Sequence, residues 1–265
     1  MPLRRHRETL DRLYARYNRR EFVSPDPLQF LYGYEDPADV ELVGLVAAML
    51  AYGRVAMILR SVAAVLERLG PSPSRTVRDA SAAELRRALA GFKHRFTPGD
   101  EVAALLRAAG QVRRQRGSLG AALAANVRPD DPTVVPALTA FVGELAQAAD
   151  GPVGSLLSDP SRGSACKRLH LYLRWMVRRD AVDLGVWRAV PPERLLVPLD
   201  THMHRLGRAL GATCRAAADR RTAIEITEAF RRIAPDDPVR YDFSLTRLGI
   251  RADANAEEWF GEHQR

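Results

Sequence analysis

Apolar residues recur at helical spacing along most of the chain and are separated by short turns. In residues 39–69, Leu42, Leu45 and Met49 fall on one helical face, and Tyr52-Gly53-Arg54 divides the stretch into two helices. No two segments have strand alternation with hairpin turn residues between them. The pattern predicts an all-α fold of about ten helices. The other helices are expected over residues 4–17, 81–89, 100–115, 133–149, 166–179, 200–210, 222–233 and 238–249.

The charge balance points to a polyanionic partner. The net charge is +8 and the isoelectric point is about 10.0, which favours nucleic acid first and an anionic membrane surface second. No apolar run approaches the roughly 20 residues of a membrane helix, and no apolar signal core follows the basic N-terminus. The sequence therefore predicts a cytoplasmic protein that does not bind membranes.

Two residue types are scarce, and each scarcity limits the chemistry. The chain has 2 cysteines, Cys166 and Cys214, too few for an iron–sulfur cluster or a disulfide framework. Of the 40 basic residues, only Lys93 and Lys167 are lysines. Arginine stays protonated, whereas lysine can lose its proton and attack carbon. Each lysine is therefore a candidate nucleophile. Two lysines that remain by chance in a chain with a bias towards arginine would give the same composition.

The clearest motif is the segment from Val197 to Gly211, in which a carboxylate precedes a basic helix. Asp200 is well placed as an ordinary N-cap. The order Pro198, Asp200-Thr201-His202, Arg205 and Leu210-Gly211 also resembles the aspartate segment of the helix-hairpin-helix DNA glycosylases, such as endonuclease III and the 8-oxoguanine glycosylases. That resemblance implies that Asp200 is catalytic.

A second motif, Gly163-Ser164-Ala165-Cys166-Lys167, opens the preceding helix. If Ser164 caps it, Lys167 lies in the first turn, where the helix dipole disfavours a cation. Lys167 faces away from the apolar stripe of this helix and shares a face with Leu171, Arg174 and Arg178. A solvated basic face is the plain interpretation. In the lyase-type glycosylases a lysine upstream of the aspartate forms a Schiff base with the sugar, which implies this role for Lys167.

The resemblance covers roughly residues 40–250, with sharp motifs only at 163–179 and 197–211. Asp200 follows Lys167 by 33 positions, and the Leu-Pro-Gly-Val-Gly hairpin of endonuclease III is missing. Both departures make the chain more similar to the archaeal-type 8-oxoguanine glycosylases. They also make it similar to an uncharacterised bacterial family with the same Lys and Asp segments. Backbone amides of Gly163 and Ser164 are then expected to grip the DNA backbone.

Further residues are assigned to DNA by the same resemblance. Tyr52 and Arg54 match a segment that fills the gap left by a flipped base, although a simple helix kink at Gly53 fits as well. The stretch Phe92-Lys93-His94-Arg95-Phe96 interleaves bases with aromatics and is a candidate base pocket or a plain loop. Lys93 is the rival nucleophile. The remaining predicted DNA contacts are Arg168, Arg174, His202 and Arg205.

Metal and cofactor sites are not expected. His202 and His204 are two residues apart on a helix and point about 200° away from each other, so they do not share an ion easily. Trp175 and Trp187 are assigned to the core rather than to base stacking.

The resemblance implies one two-lobed domain over residues 1–265, with DNA between the lobes. Its parts are an N-terminal arm (1–40), N-terminal and middle helices (41–150), the Lys/Asp segment (151–215) and C-terminal helices (216–265). The implied activity is excision of an oxidised base, 8-oxoguanine first, from double-stranded DNA by a monomer. Three alternatives stay open: action on another lesion or only on abasic sites, a non-catalytic DNA- or RNA-binding module, and a metal-dependent phosphohydrolase.

Overall fold

The computed structural model describes residues 2–250, 259 and 260. The helices are α1 (Arg7–Tyr17), α2 (Pro37–Met49), α3 (Val55–Leu69), α4 (Pro73–Asp79), α5 (Ala82–Ala88), α6 (Gly99–Arg116), α7 (Leu119–Ala124), α8 (Val135–Ala148), α9 (Lys167–Val177), α10 (Thr201–Ala209), α11 (Arg220–Arg231) and α12 (Asp242–Ile250). Six short 3₁₀ helices complete the helical content of this part: Pro2–His6, Arg20–Phe22, Pro27–Gly33, Gly154–Leu156, Pro160–Arg162 and Pro192–Arg194. The all-α prediction is confirmed.

Three local features were not predicted. Helices α4 and α7 were missed because they have only seven and six residues, fewer than two turns of periodicity. The strands β1 (Lys93–His94) and β2 (Thr97–Pro98) pair antiparallel around Arg95 and Phe96, where no hairpin was expected. Arg95 adopts φ 55°, a left-handed conformation that propensity assigns to Gly or Asn. The predicted C-terminal segment (216–265) includes residues 251–258 and 261–265, which lie outside the described residues.

Helix α2 is the central element of the core. Asp36 caps its N-terminus, where the carboxylate accepts from the backbone N–H of Ala38 at 2.9 Å. The helix packs against α9 and the 3₁₀ helix Pro27–Gly33. Gly44 permits this close approach, because a methyl group there would lie 2.8 Å from Met176 Cε. The position of α9, which begins with Lys167, therefore depends on α2.

The other helices pack in two groups. Helix α6 contacts α4, α5, α7 and α8, whereas α12 contacts α1 and α10. The first and last helices of the described chain are therefore neighbours. Trp175 and Trp187 are buried, as predicted. A division into two lobes around DNA stays a prediction. Among the described residues, no helix has both the length and the apolar character needed to cross a membrane.

Candidate active site

Lys167 is the first residue of α9, and an irregular turn places it there. Gly163 has φ 84° and Cys166 has φ 44°. The Ser164 hydroxyl accepts from the backbone N–H of Cys166 at 3.2 Å. Ser164 was expected to cap α9, but the capping position belongs to Cys166, whose side chain makes no capping bond. The left-handed Cys166 separates Ser164 from the helix, which sequence spacing alone could not show.

Asp200 is both an N-cap and the partner of Lys167. Its Oδ1 accepts from the backbone N–H of Met203 at 2.8 Å, which fixes the carboxylate at the start of α10. Its Oδ2 lies 3.3 Å from Lys167 Nζ, and the two side chains are 36% and 30% exposed. The structural and chemical interpretations of Asp200 are therefore compatible. The fold brings the two residues that the sequence singled out together as an ion pair.

Two cavities adjoin Lys167. The first, which we call the Asp200 cavity, has a volume of about 240 Å³. Its lining residues are Pro25, Asp26, Pro27, Ala51, Tyr52, Gly53, Val55, Ile58, Lys167, Leu171, Arg174, Pro198, Asp200, Asp242, Thr246 and Arg247. The second, the Ser164 cavity, has a volume of about 390 Å³ and is lined by Ser164, Cys166, Arg168 and Leu169 together with Lys167 and Tyr52, among others. Lys167 thus lies where the two cavities meet.

Tyr52 lies beside Lys167 and is held from three sides. Its hydroxyl donates to Thr97 Oγ1 at 2.7 Å, its ring stacks on Phe96 at 5.1 Å, and the Arg168 guanidinium lies 5.0 Å from the ring centre. The Phe96 side chain, at 62% exposure, extends this aromatic surface into solvent. His94 helps to hold Tyr52 in place, because its ring nitrogens contact Ser61 Oγ and the Tyr52 carbonyl oxygen. Burial lowers the pKa of His94, which favours the neutral ring.

Other predicted base-pocket residues are placed elsewhere. Phe92 is a core residue with 7% exposure. It lines neither the Asp200 cavity nor the Ser164 cavity, so the structure does not place it beside Lys167. Lys93 is exposed on β1 and also lines neither cavity. Neighbouring side chains of a strand point in opposite directions. Because this stretch was interpreted as a pocket or a loop, the sequence did not indicate that its side chains would alternate in this way.

Arg174 was expected to contact DNA and is instead buried. It is 2% exposed, and its guanidinium is paired with Asp183 at 3.2 Å and with Asp242. Arg178, on the same helical face, is equally buried and is paired with Asp180, Asp183 and Asp237. Arg174 therefore cannot reach a phosphate. The helical periodicity was correct, since Lys167, Leu171 and Arg174 line the same cavity, but that face points inward.

Arg168 is also committed within the protein. Its Nη1 donates to the Met49 carbonyl at 2.6 Å and its Nη2 donates to the Ser155 carbonyl. These bonds tie the start of α9 to the end of α2. Burial lowers the pKa of Arg168 from its ordinary value. Arg168 thus holds Lys167 in place and has little capacity left for DNA.

The remaining predicted contacts differ in accessibility. Arg54 is exposed at the start of α3. His202 is engaged on both ring nitrogens, with Nε2 3.1 Å from the Leu245 carbonyl oxygen and Nδ1 3.2 Å from Arg205 Nη2. The backbone near Gly163 contacts α11, because the Gly163 carbonyl accepts from the Arg220 N–H at 3.0 Å. Ser164 is exposed and lines the Ser164 cavity. That the backbone amides of Gly163 and Ser164 grip DNA stays a prediction.

The histidines and cysteines of residues 2–250 do not indicate a second chemical centre. His204 contacts the Arg215 carbonyl, on a different side from His202. Within the described part of the chain, no three His, Cys, Asp or Glu side chains are grouped to hold a metal. Burial raises the pKa of the Cys166 thiol, which disfavours a thiolate nucleophile. A larger groove of about 1050 Å³ contains Arg205 and Arg208 but neither Lys167 nor Asp200. Its size alone does not make it the site.

The residues that sequence reasoning missed form one side of the Asp200 cavity. They are Asp26, Asp242, Thr246 and Arg247. Asp242 and Arg247 are buried on α12 at 3% and 1% exposure. Two charged residues five positions apart in an otherwise uncharged helix were the available indication, because buried charges are rarely placed without a partner.

The fold and site define an all-helical protein with a lysine–aspartate pair between two cavities. A family model described as "Protein of unknown function (DUF2400)" matches residues 26–251, and the chain belongs to that family. The matched region contains Tyr52, Lys167, Asp200 and Asp242. No curated protein and no solved structure matches the sequence significantly.

Proposed function

We propose that this protein is a DNA glycosylase with an associated abasic-site lyase activity, in which Lys167 is the nucleophile. The observation that carries the proposal is the 3.3 Å separation between Lys167 Nζ and Asp200 Oδ2 beside a cavity of about 240 Å³. Pockets for drug-sized ligands occupy about 300–1,000 Å³. The Asp200 cavity therefore suits a smaller group, such as one base rotated out of a duplex.

In the proposed reaction, Asp200 Oδ2 accepts a proton from Lys167, which frees the lone pair on Nζ. The amine attacks C1′ while the bond from C1′ to the base nitrogen breaks, and the electron pair leaves with the base, which takes up the proton that Asp200 accepted. Asp200 also stabilises positive charge that develops on the sugar. Opening of the sugar ring gives a Schiff base between C1′ and Lys167. Loss of a C2′ proton then expels the 3′ phosphate and nicks the strand.

The charge of the protein supports a DNA substrate. A net charge of +8 favours binding to phosphates, and such binding weakens as salt rises. The aromatic surface of Tyr52 and Phe96 adjoins the cavity and could stack against the bases that flank an extruded nucleotide. The excised base proposed first is 8-oxoguanine. A metal-dependent phosphohydrolase is not proposed, since His202 and His204 are engaged on different sides.

Borohydride trapping tests the proposal directly. The protein is incubated with matched duplexes that carry 8-oxoguanine, an abasic site or no lesion. Borohydride then reduces any Schiff base to a stable amine. We expect a covalent complex with both lesions and none with intact DNA. Trapping at the abasic site alone would support a lyase and remove 8-oxoguanine as substrate. Tight binding without trapping on either lesion would contradict the enzyme and favour a nucleic-acid-binding module.

Asp200→Asn should separate the chemical role of Asp200 from its capping role. Asparagine caps helices about as well as aspartate, so the thermal unfolding midpoint should change little. Without the carboxylate, single-turnover release of the base should slow by about 10²–10⁴-fold. The matched control is Asp219→Asn, because Asp219 caps α11 in the same way and lies outside both cavities. Equal loss of activity in the two variants would contradict a chemical role for Asp200.

A further inference from the structure

The groove of about 1050 Å³, which we call the Arg205 groove, is formed by residues of α10, α11, the loop between them and the N-terminal 3₁₀ helix Pro2–His6. The lysine–aspartate pair does not account for it, because neither Lys167 nor Asp200 lines it. Four of its lining residues are exposed arginines, namely Arg4, Arg205, Arg208 and Arg232. The groove therefore presents positive charge at the surface, outside the two cavities that adjoin Lys167.

The acidic residues of the groove do not neutralise this charge. Glu225 accepts a hydrogen bond from a threonine hydroxyl at 2.7 Å, and Glu228 is paired at 3.3 Å with Arg231, which does not line the groove. Within residues 2–250, no carboxylate is paired with Arg205 or Arg208, and the bond from Arg205 to a histidine nitrogen leaves its charge in place. Both guanidiniums are therefore available to an anionic partner.

One face of α10 runs along the groove and starts beside the candidate active site. Thr201, His204, Arg205 and Arg208 line the groove, and their spacing places them on one side of the helix. Thr201 directly follows Asp200, which lines the Asp200 cavity. From Thr201 to Arg208 the helix rises by about 10 Å, at about 1.5 Å per residue. A DNA strand advances by about 3.4 Å per nucleotide in a duplex, so this length corresponds to about three nucleotides.

A DNA strand explains both the charge of the groove and its position. Guanidiniums bind phosphate oxygens well, and a strand carries one negative charge per nucleotide. In the proposed reaction the sugar is attacked beside Asp200, so the damaged strand must leave the active site past the start of α10. An acidic peptide would match the charge, but it would not explain why the groove begins one residue after the carboxylate. Arg168 and Arg174 are engaged within the protein, so the phosphates require other arginines.

We infer that the Arg205 groove holds the backbone of the damaged strand on one side of the extruded nucleotide, and that Arg205 and Arg208 each contact a phosphate. This inference rests on the proposed glycosylase function. The contact is separate from the one predicted for the backbone amides of Gly163 and Ser164, because neither residue lines the groove. The two arginines bind the DNA and take no part in breaking the bond between base and sugar.

The salt dependence of DNA binding tests these contacts. Fluorescence anisotropy gives the affinity for a duplex with a tetrahydrofuran abasic analogue over a range of NaCl concentrations. Each phosphate contact contributes about 0.9 to the slope of log K against log [NaCl], so Arg205→Gln combined with Arg208→Gln should make the slope shallower by about 1.8. The control, Arg75→Gln combined with Arg78→Gln, removes two exposed arginines with the same spacing from α4 and should keep the slope. An unchanged slope in the first variant would overturn the inference and favour an acidic peptide as the occupant. Equal changes in both variants would also overturn it.

Ethylation of single phosphates then locates the contacts on the DNA. In the wild type, ethylation of phosphates within about three nucleotides of the lesion, on one side of it and on the damaged strand, should weaken binding. The variant without Arg205 and Arg208 should be insensitive at those positions. The same interference in both proteins, or a difference confined to the undamaged strand, would contradict the inference. Borohydride trapping of the wild type at an abasic site tests the underlying function separately. Trapping without an effect of the two arginines would contradict the groove alone, whereas the expected slope and interference without trapping would support the groove and contradict the lyase.

Discussion

Replacing Lys167 by glutamine should abolish the borohydride-trapped complex on every lesion, whereas Lys93→Gln should leave it unchanged. An amide nitrogen does not form a Schiff base, so a glutamine side chain at position 167 cannot form the covalent complex. The two variants are a matched pair because the chain has no other lysine. Mass spectrometry of the trapped peptide would identify the modified residue independently.

Lys167→Arg distinguishes an enzyme from a binding protein. Arginine keeps the positive charge and the N–H donors, so a phosphate contact would survive, but arginine remains protonated and does not attack carbon. We expect DNA affinity, measured by fluorescence anisotropy, to be nearly unchanged while trapping disappears. Full trapping in Lys167→Gln would transfer the nucleophile to Lys93 or the terminal amine, and full activity in Lys167→Arg would exclude amine chemistry at this position.

The largest expected loss of stability follows from Asp183→Asn. Asp183 is 1% exposed and is paired with both Arg174 and Arg178. The isosteric amide would remove the one carboxylate that both guanidiniums share, and breaking a buried ion pair from one side costs up to about 3–5 kcal/mol. Urea unfolding should therefore show a much lower midpoint.

The control for this prediction is an exposed ion pair. Asp79 is bonded to Arg78 at 2.8 Å with both side chains more than half exposed. Asp79→Asn should leave the urea midpoint nearly unchanged, because solvent screens such pairs. If Asp183→Asn and Asp79→Asn both unfold at the same urea concentration as the wild type, the buried ion pairs of Asp183 with Arg174 and Arg178 do not stabilise the fold as described.

Local patterns were sufficient to predict most of the fold. The two helices on either side of Gly53 were expected, because their apolar periodicity is strong and glycine interrupts it. The Lys167 helix and the Asp200 helix were also anticipated. The hairpin at residues 93–98 was not, since two-residue strands carry no periodicity. Ser164 failed as a cap because the left-handed turn at Cys166 depends on tertiary contacts.

The site was predictable where its residues belong to continuous motifs. Lys167 and Asp200 were found from their own segments, although no pattern in the sequence gives the distance between them. Arg174 was misassigned because its partners Asp183 and Asp242 are 9 and 68 positions away. A helical face rich in arginine can be exposed to solvent, contact DNA or pair with buried carboxylates. The packing of α12 and of the loop that carries Asp183 against this face determines which of these it meets.

Helix α12 is held in place by the other end of the described chain. Tyr241, just before α12, donates to Asp11 of α1 at 2.7 Å, and Arg247 donates to the Phe22 carbonyl at 3.1 Å. The first of these contacts joins residues 230 positions apart. During translation, α1 therefore emerges long before its partner is made, with its apolar residues Leu10 and Leu13 uncovered. The side of the Asp200 cavity that carries Asp242 cannot assemble on the nascent chain until α12 has left the ribosome, so the cavity forms only after residues 242–250 have been made.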